Sequence, residues 1–241
     1  MEFLKTTTFT LAANVYGDQN ASRLALLLPG RLDTKDYAHM AAHGIFLASQ
    51  GFLAVSFDPP GTWGSPGDIA LYTVTNYVKA VHEVIAHFGS RPAVLVGHSV
   101  GGRVAMIAGP ENEAVTHSVY IMSKAGPSGV DLDRVVNDAV VSLRDLPPGD
   151  GEPKKEFHLP LAFFKDAETF DVMEKLKEYN KPKLFIVGKK DKLIRNEEIQ
   201  ETFMGAGEPK ELKEIDWGHD YRRSLEMIET INDLIKSFVE F

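Results

Sequence analysis

Three side chains in this 241-residue sequence have the types and settings that nucleophilic catalysis requires: Ser99, Asp191 and His219. Ser99 stands at the centre of Gly97-His98-Ser99-Val100-Gly101. The apolar run Ala93-Val94-Leu95-Val96 precedes it and reads as a buried strand, and residues 102–108 read as a helix. Gly-x-Ser-x-Gly between a strand and a helix is the signature of a nucleophile elbow. The turn is so sharp that the serine is driven into strained backbone angles, which lift its hydroxyl clear of the sheet. The flanking glycines, without β-carbons, let neighbouring backbone crowd in. A serine hydroxyl is a weak nucleophile until a base takes its proton, and the base needs an orienting carboxylate. His219 lies just beyond the run ending at Ile215, and Asp191 just beyond Val187-Gly188. Groups at strand C-termini of an open α/β sheet converge on one edge, where ligands bind.

The elements that must position these groups follow a repeating pattern. Short apolar runs at 24–28, 53–57, 93–96, 119–122 and 183–188 predict buried strands, with a final strand at 211–215. Between them lie helical spacings: 36–49, broken by Gly44; 69–88, through Val74, Val78, Val81, Ile85 and Phe88; 197–203; and 220–239. Residues 3–11, rich in Thr and Phe, predict an edge strand, and Gly17-Asp18-Gln19-Asn20 a turn. Alternation of strand and helix implies a mostly parallel sheet flanked by helices. The interval 125–181 breaks the rhythm. It begins at Gly126-Pro127, predicts a helix over 131–144, passes a breaker-rich charged cluster at 147–155 and ends in an apolar-aromatic stretch. It is long for a connection and reads as a small helical cap over the strand ends. The core domain is then 1–124 with 182–241, and the cap 125–181.

At this point the sequence resembles the α/β-hydrolase superfamily over nearly its whole length. The resemblance rests on Leu28-Pro29-Gly30-Arg31, on Asp58-Pro59-Pro60-Gly61-Thr62-Trp63-Gly64-Ser65, on the elbow with Gly102, on Val187-Gly188-Lys189-Lys190-Asp191 and on Gly218-His219, in the family's order. The first resembles the family's oxyanion loop, with Leu28-Pro29 where an apolar residue and His are usual. The resemblance implies an α/β-hydrolase fold and hydrolysis through an acyl-enzyme, without metal or organic cofactor. It assigns Ser99 as nucleophile, His219 as base and Asp191 as its orienting acid, with the backbone N–H groups of Val100 and Arg31 as the oxyanion hole. Asp216 and Asp220 flank His219 but are too close in sequence to orient its ring, and position 123 is Ser, so no rival acid stands there.

The substrate wall is expected from Gly30, His98, Trp63, Phe163 and Phe164, with the apolar stretch through Phe157, Phe170 and Met173 as the underside of the cap. That surface would suit short or medium acyl chains. His98, inside the elbow, points away from the base position and packs or hydrogen-bonds below the site. Arg31 replaces a residue that is often apolar. Either its side chain pairs with Asp33 or Asp36 at the surface, or its guanidinium faces the pocket and favours a substrate carrying a carboxylate.

Composition limits the alternatives. The chain has no cysteine, which removes disulfides, thiolate metal sites and Cys nucleophiles and fits a cytoplasmic location. The net charge of -8 disfavours nucleic acid and anionic membrane as partners. No run approaches a membrane span, and residues 1–8 lack the basic-then-apolar pattern of a signal peptide. A small-molecule ester is the expected substrate; whether the chain acts alone or as a homodimer is open. Rival readings on the same fold are a monoacylglycerol lipase with a wider apolar mouth and an aminopeptidase holding an ammonium on Glu152, Glu156 or Asp166. A third is a low-turnover small-molecule receptor. Epoxide and haloalkane hydrolases need an Asp nucleophile where this chain has Ser99.

Overall fold

A computed structural model describes residues 2–149, 151 and 153–239. The chain opens with a hairpin, β1 (Glu2–Lys5) and β2 (Thr10–Tyr16). The single edge strand expected over 3–11 is therefore two short antiparallel ones, with Leu4 opposite Leu11. Next come β3 (Arg23–Leu28), α1 (Ala38–Ser49), β4 (Phe52–Phe57), α2 (Val74–His87), β5 (Ala93–His98), α3 (Val100–Glu111) and β6 (Val115–Ile121). The long interval contains β7 (Val135–Val136), β8 (Ala139–Asp145), β9 (Lys154–Pro160), α4 (Leu161–Glu168) and α5 (Val172–Glu178). The chain continues with β10 (Lys183–Gly188), α6 (Asn196–Gly205), β11 (Lys210–Ile215) and α7 (Leu225–Val239).

Eight strands form one sheet in the order β1-β2-β4-β3-β5-β6-β10-β11, parallel from β4 onward. The apolar runs explain this. Alternate residues of each inner strand face opposite sides, and both sides are dry. Leu24, Leu26 and Leu28 point into one core with α2, α3 and α5, while Ala25 and Leu27 join a second core with α1 and α7. Because both faces are covered, the polar chemistry is confined to the strand ends. Gly44 does not break α1: a β-carbon there would lie 2.5 Å from the Tyr16 ring, so the glycine admits β2 against the helix. The segment expected as one helix over 69–88 is a 3-10 turn at Ile69–Leu71 followed by α2, which starts at a Thr73 cap accepting from the Asn76 N–H. The last helix begins at Leu225 rather than at 220, because residues 216–224 form the loop that carries His219.

The insertion corrects the expectation of a helical cap. Residues 131–144 are not helical: apart from a 3-10 turn at Leu132–Arg134 they form β7 and β8, which with β9 make a three-stranded antiparallel sheet. The cause is local. Asn137 and Asp138 both have positive φ, 49° and 58°, and close a two-residue hairpin that pairs Val136 with Ala139. The β-branched pairs Val135-Val136 and Val140-Val141 then serve as strand residues. Only α4 and α5 are helical. Phe157, Leu159, Phe163 and Phe164 are buried in the same core as α2 and α3, so the insertion is packed onto the sheet domain rather than built on a core of its own.

One buried polar contact ties α1 to the end of the chain. The His43 Nδ1–H donates to Asn232 Oδ1 at 2.6 Å, and the Tyr221 hydroxyl donates to His43 Nε2 at 3.0 Å. Burial holds the His43 imidazole down to about 4, despite the Asn232 bond. An unfolded histidine titrates near 6.5, so between these values the unfolded chain binds the extra proton and stability falls as pH falls. The contribution is complete above about pH 6.5 and amounts to roughly 3 kcal/mol lost by pH 4. Urea unfolding at pH 7, 5.5 and 4 is expected to show this slope, reduced in His43→Gln; equal slopes in both proteins would exclude His43 as its source.

Candidate active site

Ser99 sits between β5 and α3 with φ 52° and ψ −118°, a conformation that costs an L-residue about 1–3 kcal/mol. The surroundings hold it there. Its N–H donates to Ile121 O at 2.9 Å, and the Ser123 hydroxyl donates to its carbonyl at 2.7 Å. A β-carbon on Gly97 would lie 2.3 Å from Gly101 O, and one on Gly101 would lie 2.0 Å from Leu28 O. Both glycines are thus required by close backbone approach. The second contact also seats the loop after β3 directly over the start of α3.

His219 reaches Ser99 from the loop after β11. That loop is anchored by the Lys190 N–H, which donates to Trp217 O at 2.8 Å. The Ser99 hydroxyl donates to His219 Nε2 at 3.0 Å, and His219 Nδ1–H donates to Asp191 Oδ2 at 2.7 Å. Asp191 follows β10, and its other oxygen accepts from the Leu193 and Ile194 N–H groups at 2.8 and 3.0 Å. Burial would raise its pKa, but the His219 contact and the two amides outweigh burial and hold the carboxyl below its usual value. Asp216 and Asp220 turn away, to Lys190 at 2.8 Å and Arg222 at 3.0 Å. The three residues singled out in the sequence are therefore brought together at the strand C-termini.

The residues expected to form the oxyanion hole, Val100 and Arg31, both stand beside the Ser99 cavity. Val100 is the first residue of α3, so its N–H has no intrahelical acceptor. Gly30 passes the nucleophile closely: a β-carbon on it would lie 3.4 Å from Ser99 Cβ. Arg31 and Val100 both line a cavity of about 270 Å³ beside Ser99. His98 lines it too, and its Nε2–H donates to the His219 carbonyl at 3.0 Å, so it braces the histidine loop.

The expected aromatic wall is not there. Trp63, Phe163 and Phe164 do not border this cavity. The Trp63 indole N–H donates to Leu32 O, and its ring packs on Tyr37 and Phe157. Phe163 stacks on Tyr72, and Phe164 packs edge-on against Phe163. These aromatics bind the insertion to the core. The cavity lining mixes the apolar Val100, Leu193 and Ile194 with Asp33, Lys124, Arg144 and Arg222, charged residues of which none was expected there. The Arg222-Arg223 doublet beside His219 was the available signal. Asp33 is buried and held well below the usual carboxylate range, because Arg144, the neighbouring His98 ring and Arg222 outweigh its burial. Arg31 pairs with neither Asp33 nor Asp36. Asp33 faces Arg144 and Arg222 at 3.7 and 3.8 Å, while Asp36 bonds Lys35 and Asn14. Of the carboxylates considered for an ammonium, Glu156 pairs with His158 and Asp166 caps the start of α2 through Thr75, both away from the cavity; Glu152 lies outside the described residues. Among the described residues no group of three or more His, Asp or Glu is placed to hold a metal ion, and no helix is long and apolar enough to cross a membrane.

A model described as the alpha/beta hydrolase family matches residues 25–224. An uncharacterized hydrolase, YugF of Bacillus subtilis (strain 168), is 25% identical over 168 residues, covering 56% of this chain and 62% of the relative. The mitochondrial palmitoyl-protein thioesterase ABHD10 of Mus musculus is 24% identical over 174 residues, covering 70% of this chain and 59% of that protein. The matches thus span about three-fifths of the length of these curated relatives. Est1E from Butyrivibrio proteoclasticus, solved with ferulic acid bound, superposes with TM-score 0.79 at 17% identity over 100% of both chains, a likeness of fold.

Proposed function

The chain belongs to the alpha/beta hydrolase family, and from that premise we propose that it is a serine hydrolase cleaving carboxylic esters of short or medium acyl chains through an acyl-enzyme on Ser99. The observation that carries the reading is the continuous hydrogen-bonded line from Ser99 Oγ through His219 to the Asp191 carboxylate. In this reading His219 Nε2 takes the hydroxyl proton as Oγ bonds to the ester carbonyl carbon. The carbonyl oxygen becomes an oxyanion facing the Val100 and Arg31 N–H groups, each worth about 3 kcal/mol in the transition state. The carbon–oxygen bond to the alcohol breaks as His219 returns the proton to the leaving oxygen. A water then repeats the sequence and frees the acid and Ser99. The ionised Asp191 keeps the proton on His219 Nδ1, leaving Nε2 free to accept, and stabilises the imidazolium.

The insertion roofs the site in the same reading, since Ser128, Gly129 and Arg144 line the cavity. A cavity of about 270 Å³, walled by charged side chains together with Val100, Leu193 and Ile194, suits small acyl groups. The same attack applies to a thioester, which is the bond named for the mouse relative.

The test is hydrolysis of p-nitrophenyl esters from acetate to palmitate by wild type and Ser99→Ala. Ser99-dependent turnover concentrated at short chains is expected. A maximum at the longest chains would move the reading to a lipase, and no Ser99-dependent turnover on any ester would remove it, leaving the peptidase and receptor readings.

A further inference from the structure

The chain is acidic, yet the cavity beside Ser99 is not. Arg31, Lys124, Arg144 and Arg222 line it against Asp33 and Asp220. Three of these cations are already engaged. Lys124 pairs with Glu198. Arg222 pairs with Asp145 and Asp220, each at 3.0 Å. Arg144 donates to the Arg31 carbonyl and lies 3.7 Å from Asp33.

Arg31 differs from the other three. Among the described residues its guanidinium has no hydrogen bond and no ion pair, and it lies over the face of Phe164, 5.7 Å away. Burial and the neighbouring Arg144 both act against its charged form. A guanidinium nevertheless stays protonated at neutral pH, with five donors in a planar fork. A partly buried, unpaired cation beside a second cation is unfavourable, and an entering oxyanion relieves the repulsion and engages the free donors. Asp33 does not fill this place, because Arg144, Arg222 and His98 already surround it.

We infer that Arg31 receives an anionic group of the substrate, so that the esters cleaved at Ser99 carry a carboxylate, or an oxyanion of similar shape, a short chain away from the scissile bond. The short reach follows from Arg31 and Ser99 lining one cavity of about 270 Å³. The planar fork matches a carboxylate in bidentate fashion. An anion-seeking site on an acidic protein also selects by exclusion: anions reach it only where the local field is reversed. The inference rests on the serine-hydrolase reading above.

Two pairs of esters test it and separate the two sources of the charge. Monomethyl glutarate carries its carboxylate on the acyl side and is compared with the neutral isostere methyl isoheptanoate. Gamma-acetoxybutyrate carries it on the alcohol side and is compared with isohexyl acetate. Wild type is expected to prefer one acid over its isostere by on the order of 10- to 100-fold in kcat/KM, the span of a charge-assisted contact. The preferred pair identifies the side. In Arg31→Gln that ratio falls towards one, and Arg31→Lys retains part of it. The ratio is taken within each variant, so any disturbance of the loop backbone cancels. Ser99-dependent hydrolysis of the neutral esters as fast as the acids in wild type overturns the inference and leaves the hydrolase reading standing. Absence of Ser99-dependent turnover on these and on the p-nitrophenyl series removes both. If Arg31→Gln does not fold, inhibition of wild-type p-nitrophenyl acetate hydrolysis by free glutarate, weakening as salt rises, supports the inference, and no inhibition overturns it.

Discussion

Ser99→Ala is expected to lower kcat/KM on any ester the protein hydrolyses by about 10⁵-fold or more, with the fold intact. The size of the effect follows from what the hydroxyl does. Its one side-chain partner is His219 Nε2, so it contributes little to the elbow, which is held by the backbone bond to Ile121, the Ser123 contact and the two glycines. Removing it leaves the Val100 and Arg31 N–H groups in place, and these together with binding can supply a residual rate of about 10³- to 10⁴-fold over water. Steady-state assays on the ester that wild type cleaves fastest, with a thermal melt beside them, check this. His219→Ala should give a comparable loss, since the two act as a unit. Retention of a tenth of the activity in either variant would falsify the acyl-enzyme assignment.

Asp191→Asn is expected to cost about 10⁴-fold, through the histidine rather than through charge alone. Asp191 binds the Leu193 and Ile194 amides with one oxygen and His219 with the other. An asparagine keeps its carbonyl on the two amides, so its NH₂ faces Nδ1. The imidazole then carries its proton on Nε2, where it meets the Ser99 hydroxyl as a donor and cannot accept. The folded structure should tolerate the change, because the same hydrogen-bond positions stay filled. Asp216→Asn is the matched control: Asp216 is exposed and pairs with Lys190, so a loss within about threefold is expected. If the control lost as much as Asp191→Asn, the loop after β11 rather than the carboxylate would be the sensitive element.

How much of this site was legible follows from which residues carry local signals. The inner strands are continuous apolar runs ended by glycine or a polar residue, and such runs have one stable destination in an α/β chain. Ser99 and Asp191 each stand just past one of these runs and His219 just past the charged edge strand β11, so their convergence required only that the strands be parallel. The insertion was less legible. The segment 131–144 has no glycine or proline to break a helix, and the hairpin hinges on two residues, Asn137 and Asp138, accepting positive φ. Trp63, Phe163 and Phe164 announced burial by their size, but an aromatic side chain does not encode whether it faces a ligand or a neighbouring helix. Here Tyr72, Phe157 and the core took those places.

The charge of the pocket is the clearest case of information outside the linear pattern. Beside Arg31 in sequence stand Asp33 and Asp36, the natural local partners. Asp33 is taken instead by Arg144 and Arg222, which arrive from the insertion and from the loop after β11, and Asp36 by Lys35 and Asn14. Ion pairing depends on distance in space, and none of these approaches leaves a periodic trace. By itself, then, the sequence determined the sheet, the elbow and the three residues at its edge, because strand hydrophobicity and turn sterics act over a few residues. Only the tertiary structure decided that the insertion is half β-sheet, that its aromatics are core, and that Arg31, in the wall of the cavity beside Ser99, has no ion-pair partner among the described residues. Those outcomes are settled by long-range competition for burial and for charge.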